Sequence, residues 1–321
     1  HPENDVFALR PMTCPFQFQS YLNRGKSYRD LPIRYNETAT LFRNESGGEM
    51  HGLIRLRQFT LSEGHIVCTP AQVDDEFLGA LDLARYILKV LGLEEDIRYR
   101  FSKWDENNQD KYIGDPAQWE KTQNFMREIL DKTGIDYFEA DGEAAFYGPK
   151  LDLQIKNVYG KEDTLITIQI DFQLAEKFAM TYVDSDGEKK FPIIIHRSSI
   201  GCYERTLALM IEKYAGAFPL WLAPVQVKIL PIADRHNEFC EKVLTELRKV
   251  GIRAEIDDRS EKVGFKIREA KLSKVPYITV IGDSEVESEI VAVRNRKDES
   301  FTMTVEEFCA KLRSETESKV L

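Results

Sequence analysis

The sequence predicts an α+β domain followed by a smaller α/β domain, and three observations carry that prediction. At 321 residues the chain is long enough for two separate cores. Up to about residue 222, strand-like and helical stretches mix with long connections, whereas from Val225 onward strand and helix alternate. Between the two, Phe218-Pro-Leu-Trp-Leu-Ala-Pro224 is bounded by prolines, which restrict the flanking backbone and stop regular structure. The expected domains are therefore residues 1–222 and 223–321.

Within the first part, residues 38–45 and 53–67 are strand-compatible arms around a glycine-containing loop. Side chains alternate faces along a strand, so Arg43 and Glu45 share a face of the first arm. On the second arm Arg55, Arg57, Phe59, Leu61, Glu63 and His65 fall together. Cations, a ring, an acid and an imidazole then line one sheet surface. Taken alone, that pattern fits a solvated strand of alternating charge as well as a binding face. By the same alternation, Thr167 and Gln169 share a face farther on, and a hydrophobic helix over 204–214 closes the domain. In the second part, strands are expected over 225–230, 253–257, 277–281 and 290–294, with helices over 235–250 and 264–272. This order reads as an α/β sheet with mostly parallel strands.

Composition excludes several classes. No run of 18 apolar residues occurs, so no transmembrane helix is expected. The chain opens on His1-Pro2 without a charged-then-apolar leader, so no signal peptide is expected, and the absent initiator Met suggests a trimmed or partial chain. Five cysteines (Cys14, Cys68, Cys202, Cys240, Cys309) are odd in number, dispersed and never in CxxC, which points to a reducing, cytoplasmic setting rather than a disulfide scaffold. A net charge of −10 argues against nucleic-acid binding by bulk electrostatics. Locally, however, Lys262, Lys266, Arg268, Lys271 and Lys274 gather on and around one short helix. For these lysines a solvated face and direct RNA contact remain equally open.

Five short segments add a further signal: Arg43-Asn-Glu45 with the downstream Arg55 and Phe59, Phe146-Tyr-Gly-Pro-Lys150, Ile195-His-Arg197, Gly201-Cys-Tyr-Glu-Arg205, and Glu261-Lys-Val-Gly-Phe-Lys-Ile-Arg-Glu269. Each is weak alone. In this order and spacing they resemble the class II aminoacyl-tRNA synthetases, and the threonyl family within them, over essentially the whole chain. The resemblance implies an antiparallel catalytic sheet flanked by helices, then an α/β anticodon-binding domain with a mixed, mostly parallel sheet. It also implies ATP-dependent activation of L-threonine, transfer to tRNA(Thr), Mg²⁺ with the ATP and a homodimer in the intact protein. The family's motif 1 and editing region are not found in these residues, which makes dimerisation less secure and leaves serine errors uncorrected in cis.

Adenylation builds charge on phosphoryl oxygens, which fixed cations stabilise, and arginine offers a planar fork where lysine offers a point charge. Arg43 matches the family residue on the α-phosphate and the amino-acid carboxylate, and Arg205 the one on the γ-phosphate. Glu45 matches the acceptor for the adenine amino group, Phe59 the ring under adenine, and Arg55 a phosphate clamp. Gln169 falls in both the ATP and the threonine sets. Tyr147 matches the partner of the substrate's amino group, and Glu63 stands where an aspartate usually contacts the substrate.

Cys14, His65 and His196 lie far apart, so spacing is silent on whether they meet. All three coincide with the zinc ligands of the threonyl family. A thiolate and two imidazoles suit one Zn²⁺ per chain with open positions, which the resemblance assigns to the substrate's amino and hydroxyl groups. Valine lacks the hydroxyl and is excluded, whereas serine lacks only a methyl, a difference of about 1–3 kcal/mol.

The chain departs from the family at Leu61 in place of an amide, at Glu63 in place of a shorter acid, at Thr164 in place of glutamine, and at Phe16-Gln17 in place of Gly-His. In the carboxy-terminal domain Arg268, Glu285 and Arg294 coincide with residues that read anticodon bases, and Ser260 stands for a usual asparagine. Two other readings stay open: a silent paralogue that binds tRNA or an adenylate, and an amino-acid ligase of this fold acting without tRNA.

Overall fold

In the computed structural model, which describes residues 6–321, the first element is α1 (Cys14–Leu22). Thr13 stands at its N-cap, and a proline sits in its first turn, where a missing N–H costs no helix bond. The buried residues Cys14, Gln17, Phe18 and Tyr21 follow the spacing of one helix face.

β1 (Ile33–Phe42) and β2 (Gln58–Cys68) pair antiparallel, with Leu41 opposite Phe59 and Tyr35 opposite His65. These limits correct the expected arms. The first strand starts earlier and ends before Arg43, and the second begins only at Gln58, so Arg43, Glu45, Arg55 and Arg57 belong to the connection. One more ladder bond, from Arg43 N–H to the Arg57 carbonyl at 2.9 Å, leads into it. Beyond that the Ser-Gly-Gly stretch turns, and the connection closes on itself through a bridge between His51 and Arg55.

The unit continues through α2 (Val73–Val90), β3 (Ile97–Ser102), α3 (Pro116–Thr133), β4 (Tyr137–Ala140), β5 (Lys150–Lys156), β6 (Glu162–Asp171) and the single turn α4 (Leu174–Lys177). A small hairpin, β7 (Tyr182–Val183) and β8 (Lys189–Lys190), precedes β9 (Ile193–Cys202) and α5 (Tyr203–Tyr214). Seven strands form one sheet in the order β1-β2-β9-β6-β5-β3-β4, antiparallel except between β3 and β4.

Register decides what each face of this sheet carries. His65 on β2, His196 on β9 and Gln169 on β6 are cross-strand partners and therefore share one face. Their neighbours Ile66, Ile195 and Ile170 point the other way and are buried. α2, with Phe77, Leu81, Ala84 and Leu88 buried at helical spacing, packs on β9 and β6. On the histidine side, Phe18 and Tyr21 of α1 join one core cluster with Val67 and Ile194. Each such aromatic contributes about 1.5–3 kcal/mol by leaving water, which fixes α1 over the end of the sheet.

The chain divides into compact units after Leu209. In the second, β10 (Val227–Pro231), α6 (Asn237–Lys249), β11 (Ala254–Ile256), α7 (Val263–Leu272), β12 (Tyr277–Ile281), α8 (Asp283–Ser288), β13 (Ile290–Asn295), β14 (Ser300–Thr304) and α9 (Val305–Glu317) follow in turn. The sheet order is β11-β10-β12-β13-β14, parallel over the first three strands and antiparallel over the rest. α6 and α9 supply Phe239, Val243, Leu247, Phe308 and Leu312 to one core, while Ala270 of α7 packs with Leu230 and Ile278 on the opposite face. Leu220, within the Pro-bounded stretch, is buried in the first of these cores. No helix among the described residues is long and apolar enough to cross a membrane.

Candidate functional site

The three expected metal ligands meet. α1 delivers Cys14 at its amino-terminal end. Cys14 Sγ lies 3.0 Å from His65 Nε2 and 3.6 Å from His196 Nδ1. The two imidazoles stand edge to face with centroids 4.5 Å apart, and both are buried, His65 at 0% exposure and His196 at 2%. His65 donates its Nδ1–H to Gln17 Oε1 at 2.8 Å, and His196 donates its Nε2–H to Asp171 Oδ2 at 2.9 Å. These outer bonds fix both tautomers so that the remaining nitrogens aim at the sulfur, an arrangement characteristic of ligated histidines.

Burial, reinforced by the charges of His196 and Arg197, holds His65 well below the ordinary histidine range. Burial also works to keep His196 neutral, but the Asp171 and Cys14 bonds outweigh it and push that group up to about 10. The donor set of soft sulfur and two imidazoles fits Zn²⁺. Gln17 entered the sequence reading only as a departure from the family pattern, and Asp171 did not enter it. The signals for them were Gln17 on the Cys14 face of α1 and Asp171 two residues beyond Gln169 on one strand face.

Tyr147 stacks on His196 with centroids 4.6 Å apart and an interplanar angle of 23°. Its hydroxyl donates to Gln169 Oε1. Burial, with the charges of Cys14, Asp171 and Glu63, keeps the phenol well above its usual value, so it remains a neutral donor. Gly148 allows this placement, because a Cβ there would stand 1.9 Å from the Ile170 carbonyl. Glu63 shares the cavity face, and its Oε2 accepts from Thr13 Oγ1 at 2.6 Å.

A cavity of about 380 Å³ extends from this cluster. Arg43, Glu45, Arg55, Phe59, Leu61, Glu63, Thr164, Thr167, Gln169, His196 and Arg205 all line it. The Arg43 guanidinium lies 5.0 Å from the centroid of the Phe59 ring. Glu45 accepts from Arg55 Nε at 2.8 Å, and the Glu45 carbonyl accepts from Arg57 Nε at 3.0 Å. Arg205 donates Nη1–H to the Thr164 carbonyl at 2.6 Å and Nε–H to the Ile54 carbonyl at 3.0 Å. These bonds hold Arg55 and Arg205 at the cavity wall.

Two backbone features aim Arg205. Between Ser62 and Glu63 the pairing partner on β9 jumps from Gly201 to Ser198, so β9 bulges beside the cavity. Gly201 follows the bulge at φ +72°, and a Cβ there would lie 2.2 Å from the Leu165 carbonyl. Only glycine fits that left-handed close approach. The adjacent Glu204 receives the Thr60 N–H at 2.9 Å, tying the start of α5 to β2.

In the second unit the expected RNA-reading residues lie on different elements. Ser260, Arg268 and Arg294 are exposed. Arg294 stands opposite Ile278, which places it on the sheet face that carries α7. The Glu285 carboxylate accepts from the Gly282 N–H at 2.9 Å and caps α8. Lys266 corrects an expectation: it is only 4% exposed, and its ammonium donates to the carbonyls of Asp257 and Pro231, so it braces the fold instead of facing solvent.

Comparison with known proteins gives a consistent result. The family profile for the "tRNA synthetase class II core domain (G, H, P, S and T)" matches residues 1–214, and that for the "Anticodon binding domain" matches 226–315. The threonine–tRNA ligase of Clostridium perfringens is 64% identical over 296 residues, covering 92% of this chain and 46% of that protein. That of Clostridium botulinum is 62% identical over 318 residues, covering 99% and 50%. The chain therefore spans about half the length of these curated relatives. Among solved structures, the RNA binding domain of threonyl-tRNA synthetase from Cryptosporidium parvum superimposes with a TM-score of 0.88 at 33% identity, covering 95% of this chain and 76% of that one. A putative threonyl-tRNA synthetase from Aeropyrum pernix gives a TM-score of 0.80 at 26% identity, covering 97% and 75%.

Proposed function

Since the chain belongs to the class II tRNA synthetases, we propose that it activates L-threonine with ATP to threonyl-adenylate and passes the threonyl group to tRNA(Thr). The observation that carries this reading is one cavity that meets the Cys14–His65–His196 cluster through His196 and has Arg43, Glu45, Phe59 and Arg205 along its walls. Residues 1–222 form the catalytic part in this reading and residues 223–321 the anticodon-binding part.

Arg43 bridges the α-phosphate and the substrate carboxylate, which brings nucleophile and electrophile together and offsets the charge that builds between them. Adenine stacks on Phe59 and presents its amino group to Glu45, while Arg55 and Arg205 exchange their present partners for phosphate oxygens. Tyr147 and Gln169 hold the amino group, with Glu63 beside them. Zinc held by Cys14, His65 and His196 would supply a Lewis-acidic centre that selects a side chain bearing a hydroxyl. Magnesium accompanies the ATP. Ser260, Arg268, Glu285 and Arg294 read the anticodon, and the intact protein works as a homodimer.

Pyrophosphate exchange with threonine, serine and valine in parallel tests the activation step. Threonine should support it, serine more weakly, and valine hardly at all. Exchange that ignores the amino acid, or that prefers valine, would defeat the reading. Charging of a tRNA transcript then separates it from a ligase that works without tRNA.

A further inference from the structure

We propose that Glu63 is a fourth ligand of the metal at the Cys14–His65–His196 site. The inference rests on the zinc reading above and adds a residue to it. The ligand atoms of Cys14, Glu63, His65 and His196 all lie within 4.8 Å of one another. Glu63 precedes His65 by two positions on β2, so strand alternation projects the carboxylate and the imidazole to the same side.

The outer contacts are built alike for all three β-strand groups. Gln17 holds His65, Asp171 holds His196, and Thr13 holds Glu63 through Oε2. Thr13 directly precedes Cys14, so the turn that delivers the thiolate also orients the carboxylate and leaves its other oxygen free. Ligating carboxylates, like ligating histidines, are typically secured from behind in this way.

Geometry and charge agree. Tetrahedral donors at zinc distances stand about 3.3–3.8 Å apart. The sulfur is already 3.0 and 3.6 Å from the two nitrogens, and the Glu63 carboxylate lies within 4.8 Å of all three donor atoms. One thiolate leaves a buried dication with a net positive charge, and a carboxylate neutralises it. With the metal bound, Glu63 would complete its ligand set and would lie beside the position that Tyr147 and Gln169 offer to the substrate's amino group.

The test uses the whole chain loaded with cobalt(II), read by its visible d–d bands and by chelator competition. Glu63→Gln, which keeps the shape and removes the charge, should weaken metal binding at least about tenfold and shift the bands. Glu63→Asp, which keeps the charge and shortens the reach, should lie between it and the wild type, and carries the test should Glu63→Gln fail to fold. Variants matching the wild type in both affinity and spectrum would overturn the proposal and leave the three-ligand zinc reading standing. A wild-type chain that takes up no metal would overturn both.

Discussion

Replacing Arg205 by alanine separates chemistry from stability, and the structure supplies both magnitudes. The side chain makes two hydrogen bonds to backbone carbonyls, to Thr164 at 2.6 Å and Ile54 at 3.0 Å. A charged hydrogen bond contributes about 1.5–3 kcal/mol when buried, less for a partly buried group such as this one, so Arg205→Ala should cost about 2–3 kcal/mol of stability. A domain stable by about 5 kcal/mol that lost 3 would still be more than nine-tenths folded. Unfolding therefore cannot produce a large kinetic effect. Removing a positioned donor from the transition state lowers turnover by about 10²–10³. Pyrophosphate exchange should fall by at least about a hundredfold in protein that urea titration shows to be folded. Arg205→Lys restores a point charge without the planar fork and should recover only part of the loss. Exchange within tenfold of wild type in Arg205→Ala would refute the assignment of this guanidinium to ATP.

Protein prepared without chelators should contain about one zinc per chain, and metal analysis of His65→Ala should show it lost together with threonine activation. Asp171→Asn should retain the site but bind zinc about 10–100-fold more weakly in chelator competition. Arg268→Ala and Arg294→Ala should impair tRNA charging, each by about 1–3 kcal/mol, while leaving pyrophosphate exchange alone; a parallel fall in both assays would contradict that division. Lys266→Ala should instead lower the unfolding midpoint, since its ammonium is bonded to buried carbonyls. Burial raises the Asp152 carboxyl, but Lys150, Arg100 and Ser102 outweigh it and leave the value below the ordinary one. That stability is present above the unfolded value of about 3.9 and is lost as pH falls through the lower, folded value. Asp152→Asn should thus be clearly less stable than wild type at neutral pH and converge with it at strongly acid pH; a pH-independent difference in urea unfolding would count against the charge network.

The sequence by itself determined the elements whose signals are local. The hydrophobic helix expected over 204–214 is present as α5. Alternation of Phe59, Leu61, Glu63 and His65 along one strand face holds in the structure, because all four residues fall within β2. The strand–helix rhythm after Val225 likewise foretells most of the second sheet, though it does not mark α8, β14 or α9.

Only the tertiary structure decided what those elements bring together. His65 and His196 are partners because β2 and β9 pair in one register, and register is a long-range choice with no local mark. Cys14 joins them because Phe18 and Tyr21 pack on Val67 and Ile194. Gln17, Asp171 and Thr13 acquire their roles only once that assembly exists. The same holds for Arg43, Glu45 and Arg55, which sequence alternation placed on strands: their mutual hydrogen bonds and the glycines between them favour a loop that closes on itself. Lys266 shows the converse, since a lysine in a basic run looks solvated until the carbonyls that bury it are in place.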